Sequence, residues 1–199
     1  MRLMRTSALA GRPVVTLAGE DIAQIKDVVY AAGGGELAGF TLAGRGMFSG
    51  PLKQGLPWGA VLALGTDAVM VNDDAVLRPT QSVLDESATF DGSVGSGGDI
   101  LGSQVLTDAG VDLGTVVDVI IEVEHTHAGE CAVVGYEVEA SEALAPKGTR
   151  MLIPLPDTLA ASGEHLMVPT AARDFVSTDL GGFEATLPAF RDHVSGALR

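Results

Sequence analysis

The residues best placed to do chemistry are acidic and alternate along one stretch. From Val117 to Glu124, Val117, Val119, Ile121 and Val123 fall on one side of an extended chain, and Asp118, Ile120, Glu122 and Glu124 on the other. A second stretch sets Val134, Tyr136 and Val138 against Glu137 and Glu139. If both apolar sets face one core, paired residues sum to an odd number, as Val123 with Val134 does. Asp118, Glu122, Glu124, Glu137 and Glu139 then share an outer face. Like charges on neighbouring strands repel unless solvated or neutralised, so this face is the expected contact surface, for a basic protein partner or a divalent cation. Oxygen donors suit Ca²⁺ or Mg²⁺, but no dense Asp-x-Asp-x-Asp loop is present, and no dedicated metal site is expected. His125-x-His127 with Cys131 falls short of the usual zinc ligand set. Asp27 and Asp118 occupy matching places in the chain; bonding to backbone near a glycine turn is the expected role, ahead of a catalytic pair. No Gly-x-Ser-x-Gly elbow occurs, and nothing makes His165 or His193 a base. Gly44-Arg45-Gly46-Met47-Phe48-Ser49-Gly50 lacks both the Gly-Lys-Ser/Thr and the following helical pattern of a phosphate loop. The reading is non-catalytic, with no cofactor.

Positioning these residues falls to a repeated unit. The stretch from Gly19 to Val29 returns ninety-one residues later as Gly110 to Ile120, and the same shift sets Gly11 on Gly102, Val14 on Val105 and Thr16 on Thr107. In the first copy, Pro13 opens a β-branched run. Ala18-Gly19-Glu20-Asp21 turns the chain, and strands are expected over 22–30, 36–42, 61–64 and 68–71. Trp58, the only tryptophan, reads as a core plug. In the second copy, strands are expected near 100–106, 113–124 and 132–139. Ile153-Pro154-Leu155 matches Leu56-Pro57-Trp58, and Leu166-Met167-Val168 matches Val69-Met70-Val71, both at a shift of 97. Residues 1–78 and 99–199 thus form two units. Residues 79–98 join them with a Gly/Ser-rich end, while Ser82-Val83-Leu84-Asp85 packs on a unit. In the tail, Thr170 is expected to cap a short helix, and Pro188 to open another reaching Leu198, with a stripe of Phe190, Val194 and Leu198.

Composition bounds the function. The chain has 199 residues, a 46% hydrophobic content and a formal net charge of -14, with a mean hydropathy of +0.30. No run of 18 apolar residues exists, so no membrane span is expected. The basic start has no apolar segment behind it, so no signal peptide is read. One cysteine excludes an internal disulfide and fits a reducing cytoplasm. Lys/Arg and Asp/Glu balance in residues 1–78, so the acidic excess lies beyond. That surface repels phosphate backbones, and direct nucleic-acid binding is not expected.

The run Leu9-x-Gly11-x-x-Val14-x-Thr16-x-x-Gly19-x-x-Ile22-x-x-Ile25-x-Asp27-Val28-Val29 resembles the opening of the PRC-barrel domain, and Leu101-Gly102, Val105, Gly110, Leu113-Gly114-x-Val116-x-Asp118-Val119 resembles it again. The family is named for the cytoplasmic domain of the photosynthetic reaction-centre H subunit. It includes the C-terminal domain of the ribosome maturation factor. The resemblance implies a mainly β protein: two small antiparallel β-barrels in tandem, with short C-terminal helical segments. It also implies a protein-docking module without catalytic residues. The expected function is an adaptor, with homodimerisation through exposed strand edges. A small-ligand or cation-binding protein is the alternative, and a ribosome-assembly role follows by analogy alone.

Overall fold

The computed structural model describes residues 2–31, 35–45, 50–85, 100–123, 131–146, 148–156, 160–162 and 165–197. In chain order its strands are β1 (Arg2–Arg5), β2 (Pro13–Thr16), β3 (Asp21–Tyr30), β4 (Leu37–Ala43), β5 (Pro51–Pro57), β6 (Val61–Leu64), β7 (Val69–Val71) and β8 (Arg78–Pro79), after which comes helix α1 (Thr80–Asp85). The second half contributes β9 (Gln104–Thr107), β10 (Asp112–Val123), β11 (Cys131–Ala140), β12 (Arg150–Pro154), β13 (Ala160–Ser162), β14 (His165–Val168) and helix α2 (Leu180–Ala197).

These strands make two sheets of matching order. One runs β6-β7-β2-β3-β4-β5-β8 and the other β13-β14-β9-β10-β11-β12, with β1 added on β10. In each sheet the opening strand pairs antiparallel with the long strand that follows it and parallel with a late one, β2 with β7 and β9 with β14. The local cause is the same twice. Gly19 and Gly110 hold left-handed backbone at φ 84° and 75°, a conformation that other residues adopt at a cost. There the Thr16 and Thr107 hydroxyls accept from the amides of Glu20 and Val111. Both threonines are buried and satisfied by their own turn, so neither leaves an unmet polar group in the core.

Two bulges break the pairing of β10 with β11. Asp118, Val119 and Ile120 face Glu137, Tyr136 and Gly135, whereas Val123 faces Cys131 rather than Val134. A bulge shifts the register by one residue, so a strict alternation read from sequence does not survive the length of the strand. Ile120, expected on the polar face, is fully buried with Val134, Leu152, Phe183 and Leu187. Helix α2 covers that face. It begins eight residues before Pro188, which lies inside it; Asp179 accepts from the Gly182 amide at 2.9 Å and caps the start. Leu198 lies outside the described residues. Thr170 does not cap by its side chain; it opens a short 3-10 turn, Thr170–Phe175, and donates to Asp108 instead.

On the first sheet the corresponding cover is α1, where Val83 is buried against Val29 and Ala38. Trp58 is partly buried and meets Phe40 edge to face at a 6.1 Å centroid distance. The main core is continuous through both sheets, from Leu9, Tyr30 and Phe40 to Val119, Tyr136 and Phe190. Further links are a bridge between Glu36 and Ala132 and a bond from the Val133 amide to the Gly35 carbonyl at 2.9 Å. Strand β1 belongs by sequence to the first unit but pairs with the second sheet, Arg2 opposite Val123 and Arg5 opposite Ile120.

Candidate functional site

The acidic residues of β10 and β11 do not form one open face. Asp118 is 5% exposed and Glu137 7%, because β1 and the 3-10 turn Thr6–Leu9 lie over them. Asp118 Oδ1 accepts from the Thr6 hydroxyl and the Ser7 amide, each at 3.1 Å, and from the Val119 amide at 2.8 Å. Its Oδ2 accepts from the Ser7 hydroxyl. Burying a carboxylate is costly unless its acceptor positions are filled; here four donors fill them. Glu137 receives Arg5 in a fork, Nε at 2.6 Å and Nη2 at 3.4 Å. The bond to Glu137 raises the Arg5 pKa above its ordinary value, burial opposing. Glu122 is held by Arg191 of α2 at 2.9 Å. The repulsion expected on this surface is thus answered by two arginines that the chain brings back from its beginning and its tail. Glu139 is exposed and lines a cleft of about 470 Å³ with Asp112 and Glu142. Glu124, His125 and His127 lie outside the described residues. Cys131 is buried and unbridged, and burial pushes its thiol up to about 12. Among the described residues no group of three or more His, Cys, Asp or Glu side chains could hold a metal ion.

The second arrangement lies beside β3. A cleft of about 430 Å³ is lined by Ile25 to Tyr30 of β3, by Leu84 at the end of α1, and by Leu101 and Val117 of the second half. Thr6, Ser7 and Asp118 complete one wall. Leu101 is 47% exposed, one of two large apolar side chains so open among the described residues. The sequence-matched pair Asp27 and Asp118 therefore share a cleft, in different states. Asp27 keeps 60% of its side chain exposed and pairs with Lys26 at 2.8 Å. The Thr41 hydroxyl donates to Asp27 Oδ2 and accepts from the Asp27 amide, both at 3.1 Å. Among the described residues no histidine lines the cleft. Sequence reasoning missed this place, since Leu84 sat in a joining segment and Leu101 within an apolar run. The available signal was the repeat itself, which sets Asp27 on Asp118.

Among the described residues no helix is long and apolar enough to cross a membrane. No curated protein matches the chain. Residues 1–78, which supply the whole first sheet except its last position and β1 of the second, match the PRC-barrel domain family.

Proposed function

We propose that the chain is a tandem PRC-barrel protein that acts as a non-catalytic adaptor and docks a polypeptide in the cleft beside β3. The tandem reading is supported by the shared strand order of the two sheets and by the ninety-one-residue repeat. The docking reading is carried by one observation: an apolar cleft of about 430 Å³ opens along a strand at the junction of the sheets, with Leu101 half exposed in it. Strand edges lined by apolar pockets receive extended peptides through main-chain bonds, with side-chain pockets adding specificity. The buried cysteine and the lack of an internal disulfide support work in a reducing compartment.

A photocrosslinking amino acid at position 101 tests the reading in lysate. We expect a discrete protein adduct that Leu84→Arg in the same chain removes. Adducts insensitive to Leu84→Arg would place the contact elsewhere, and thermal stability of that variant separates lost docking from lost folding.

A further inference from the structure

We propose that the cleft along β3 accepts an extended segment of a partner protein that adds to the first sheet as an antiparallel strand and presents a serine or threonine hydroxyl to Asp27. This rests on the docking reading above and adds the chemistry of the occupant.

The argument comes from the second sheet. A shift of ninety-one residues carries Lys26, Asp27 and Val28 of β3 onto Val117, Asp118 and Val119 of β10. Strand β10 has two neighbours along one edge. β9 pairs near its beginning, as far as Thr115, and β1 pairs antiparallel along its end, from Ile120 to Val123. The chain leaving β1 then places Thr6 and Ser7 on Asp118. On β3 the first of these neighbours is present: β2 pairs as far as Gln24, and Gly11 and Arg12 bond Ile25. Among the described residues, no strand pairs with the rest of that edge. The cleft lies along it. Asp27 waits where Asp118 is capped, and no described residue donates to its Oδ1. An unpaired strand edge is a template for pairing, and the matching edge of β10 is filled by β1 from Ile120 onward, the counterpart of Val29 near the end of β3.

The two sites differ in charge. Opposite Asp118 stands Glu137, which takes Arg5 of β1. Opposite Asp27 stands Thr41, and Lys26 already neutralises the aspartate. An arginine in the Arg5 position would find no carboxylate across the strand and a lysine nearby. The occupant therefore carries an uncharged residue just before its hydroxyl-bearing one.

The test uses labelled peptides and the full chain, read by fluorescence anisotropy. The probes are Met-Arg-Leu-Met-Arg-Thr-Ser-Ala, copied from residues 1–8, and the same peptide with Arg5→Ser. We expect saturable binding of the Arg5→Ser peptide, tighter than that of the parent. Asp27→Ala should weaken it about tenfold, the change for one charge-assisted hydrogen bond. Alanine at both peptide hydroxyl positions should weaken binding to the natural chain, but not further to Asp27→Ala, as coupled partners require. No saturation below about 1 mM, a range that β-addition peptides reach, overturns the proposal. So does equal binding to Asp27→Ala, or preference for the parent peptide, which marks exchange at β10. A photocrosslinker at position 84 that captures only a second copy, or the chain's own residues 86–99, overturns it too. If the peptides fail while Leu84→Arg still removes the adduct at position 101, the docking reading stands and the occupant is of another kind.

Discussion

Tyr30 donates its hydroxyl to Thr6 Oγ1 at 3.0 Å, tying a strand of the first sheet to the segment that covers the second. Thr6 passes the bond on to Asp118 at 3.1 Å. The two sheets are joined by a buried polar line as well as by the continuous core. A second phenol, Tyr136, is also fully buried, and its hydroxyl has no partner among the described residues. These two tyrosines should answer the same substitution in opposite ways. Tyr30→Phe removes a satisfied bond and should cost about 1 kcal/mol. Tyr136→Phe removes an unsatisfied polar atom and should be neutral or stabilising by up to about 1 kcal/mol. Paired urea titrations check this; a Tyr136→Phe variant as damaged as Tyr30→Phe would mean that its hydroxyl has a bonding role.

The Arg5–Glu137 pair fixes β1 to β11 across β10. Glu137 is the more deeply placed partner, with 10% of its side chain exposed against 32% for Arg5. Arg5→Ala therefore leaves a nearly buried carboxylate without its cation. Such a loss costs 3–5 kcal/mol when both partners are fully buried, and solvent reaching Arg5 reduces it here to about 2 kcal/mol. Arg5→Lys keeps the charge but loses the fork, so its stability should fall between. A double-mutant cycle with Glu137→Gln should return a coupling of about 1 kcal/mol or more. Additive effects would show that the pair contributes nothing beyond its separate side chains.

The repeat, the long strands and the turn glycines were legible because β-branched alternation and left-handed glycines are local signals. Thr16 with Gly19 and Thr107 with Gly110 each form their turn within a few residues. The cover of the acidic strands was not legible, because it depends on contacts far apart in sequence: Arg5 reaches Glu137 and Arg191 reaches Glu122. Four residues make a short strand, and nothing in Arg-Leu-Met-Arg announces one; its pairing with β10 supplies the order. Strand β5 was hidden by the prolines at both its ends and by polar Lys53 and Gln54, and shows itself through its pairing with β4 and β8. Helix α2 was shortened in the reading because Gly181 and Gly182 weaken its first turn, which the Asp179 cap offsets. The Asp27 cleft was half legible: the repeat matched the two aspartates, but only the fold separates the covered one from the open one.

Alkaline pH should weaken the fold through three buried acids. Burial, then the charge of Glu36, raises Cys131 from an ordinary 9.0 to about 12. Burial likewise holds Tyr30 and Tyr136 above the ordinary 10.0. With the folded value above the unfolded one, the stability they supply is complete below about pH 9. It declines once the unfolded chain begins to lose protons that the folded chain keeps. Each group adds a slope of about 1.4 kcal/mol per pH unit between its two values. Urea midpoints should therefore be level to about pH 9 as far as these groups are concerned, then fall, steepening above about pH 10 as the tyrosines join. Cys131→Ala should remove the first part of the decline and leave the second. A natural chain and a Cys131→Ala chain with the same profile between those limits would show that the thiol titrates freely in the folded protein.

Helix α2 meets the second sheet where Gly135 leaves room for Phe183. A Cβ at Gly135 would stand 2.5 Å from Phe183 Cζ and 2.8 Å from the Ile153 carbonyl oxygen. The ring is fully buried with Ile120, Val134 and Leu152 and cannot simply turn away. Gly135→Ala should destabilise by about 2 kcal/mol, the usual range for overpacking, and should open α2 to limited proteolysis before the sheet unfolds. Phe183→Leu in the same chain should recover part of that loss by withdrawing the ring edge, and not all of it, because the backbone oxygen remains. Phe183→Leu alone costs stability by emptying part of the pocket. The sign of its effect should therefore reverse with the residue at 135. Measured by urea unfolding of the four chains, that reversal is the signature of direct packing; equal losses from Phe183→Leu in both backgrounds would place the strain of Gly135→Ala in the strand pairing with β12 instead.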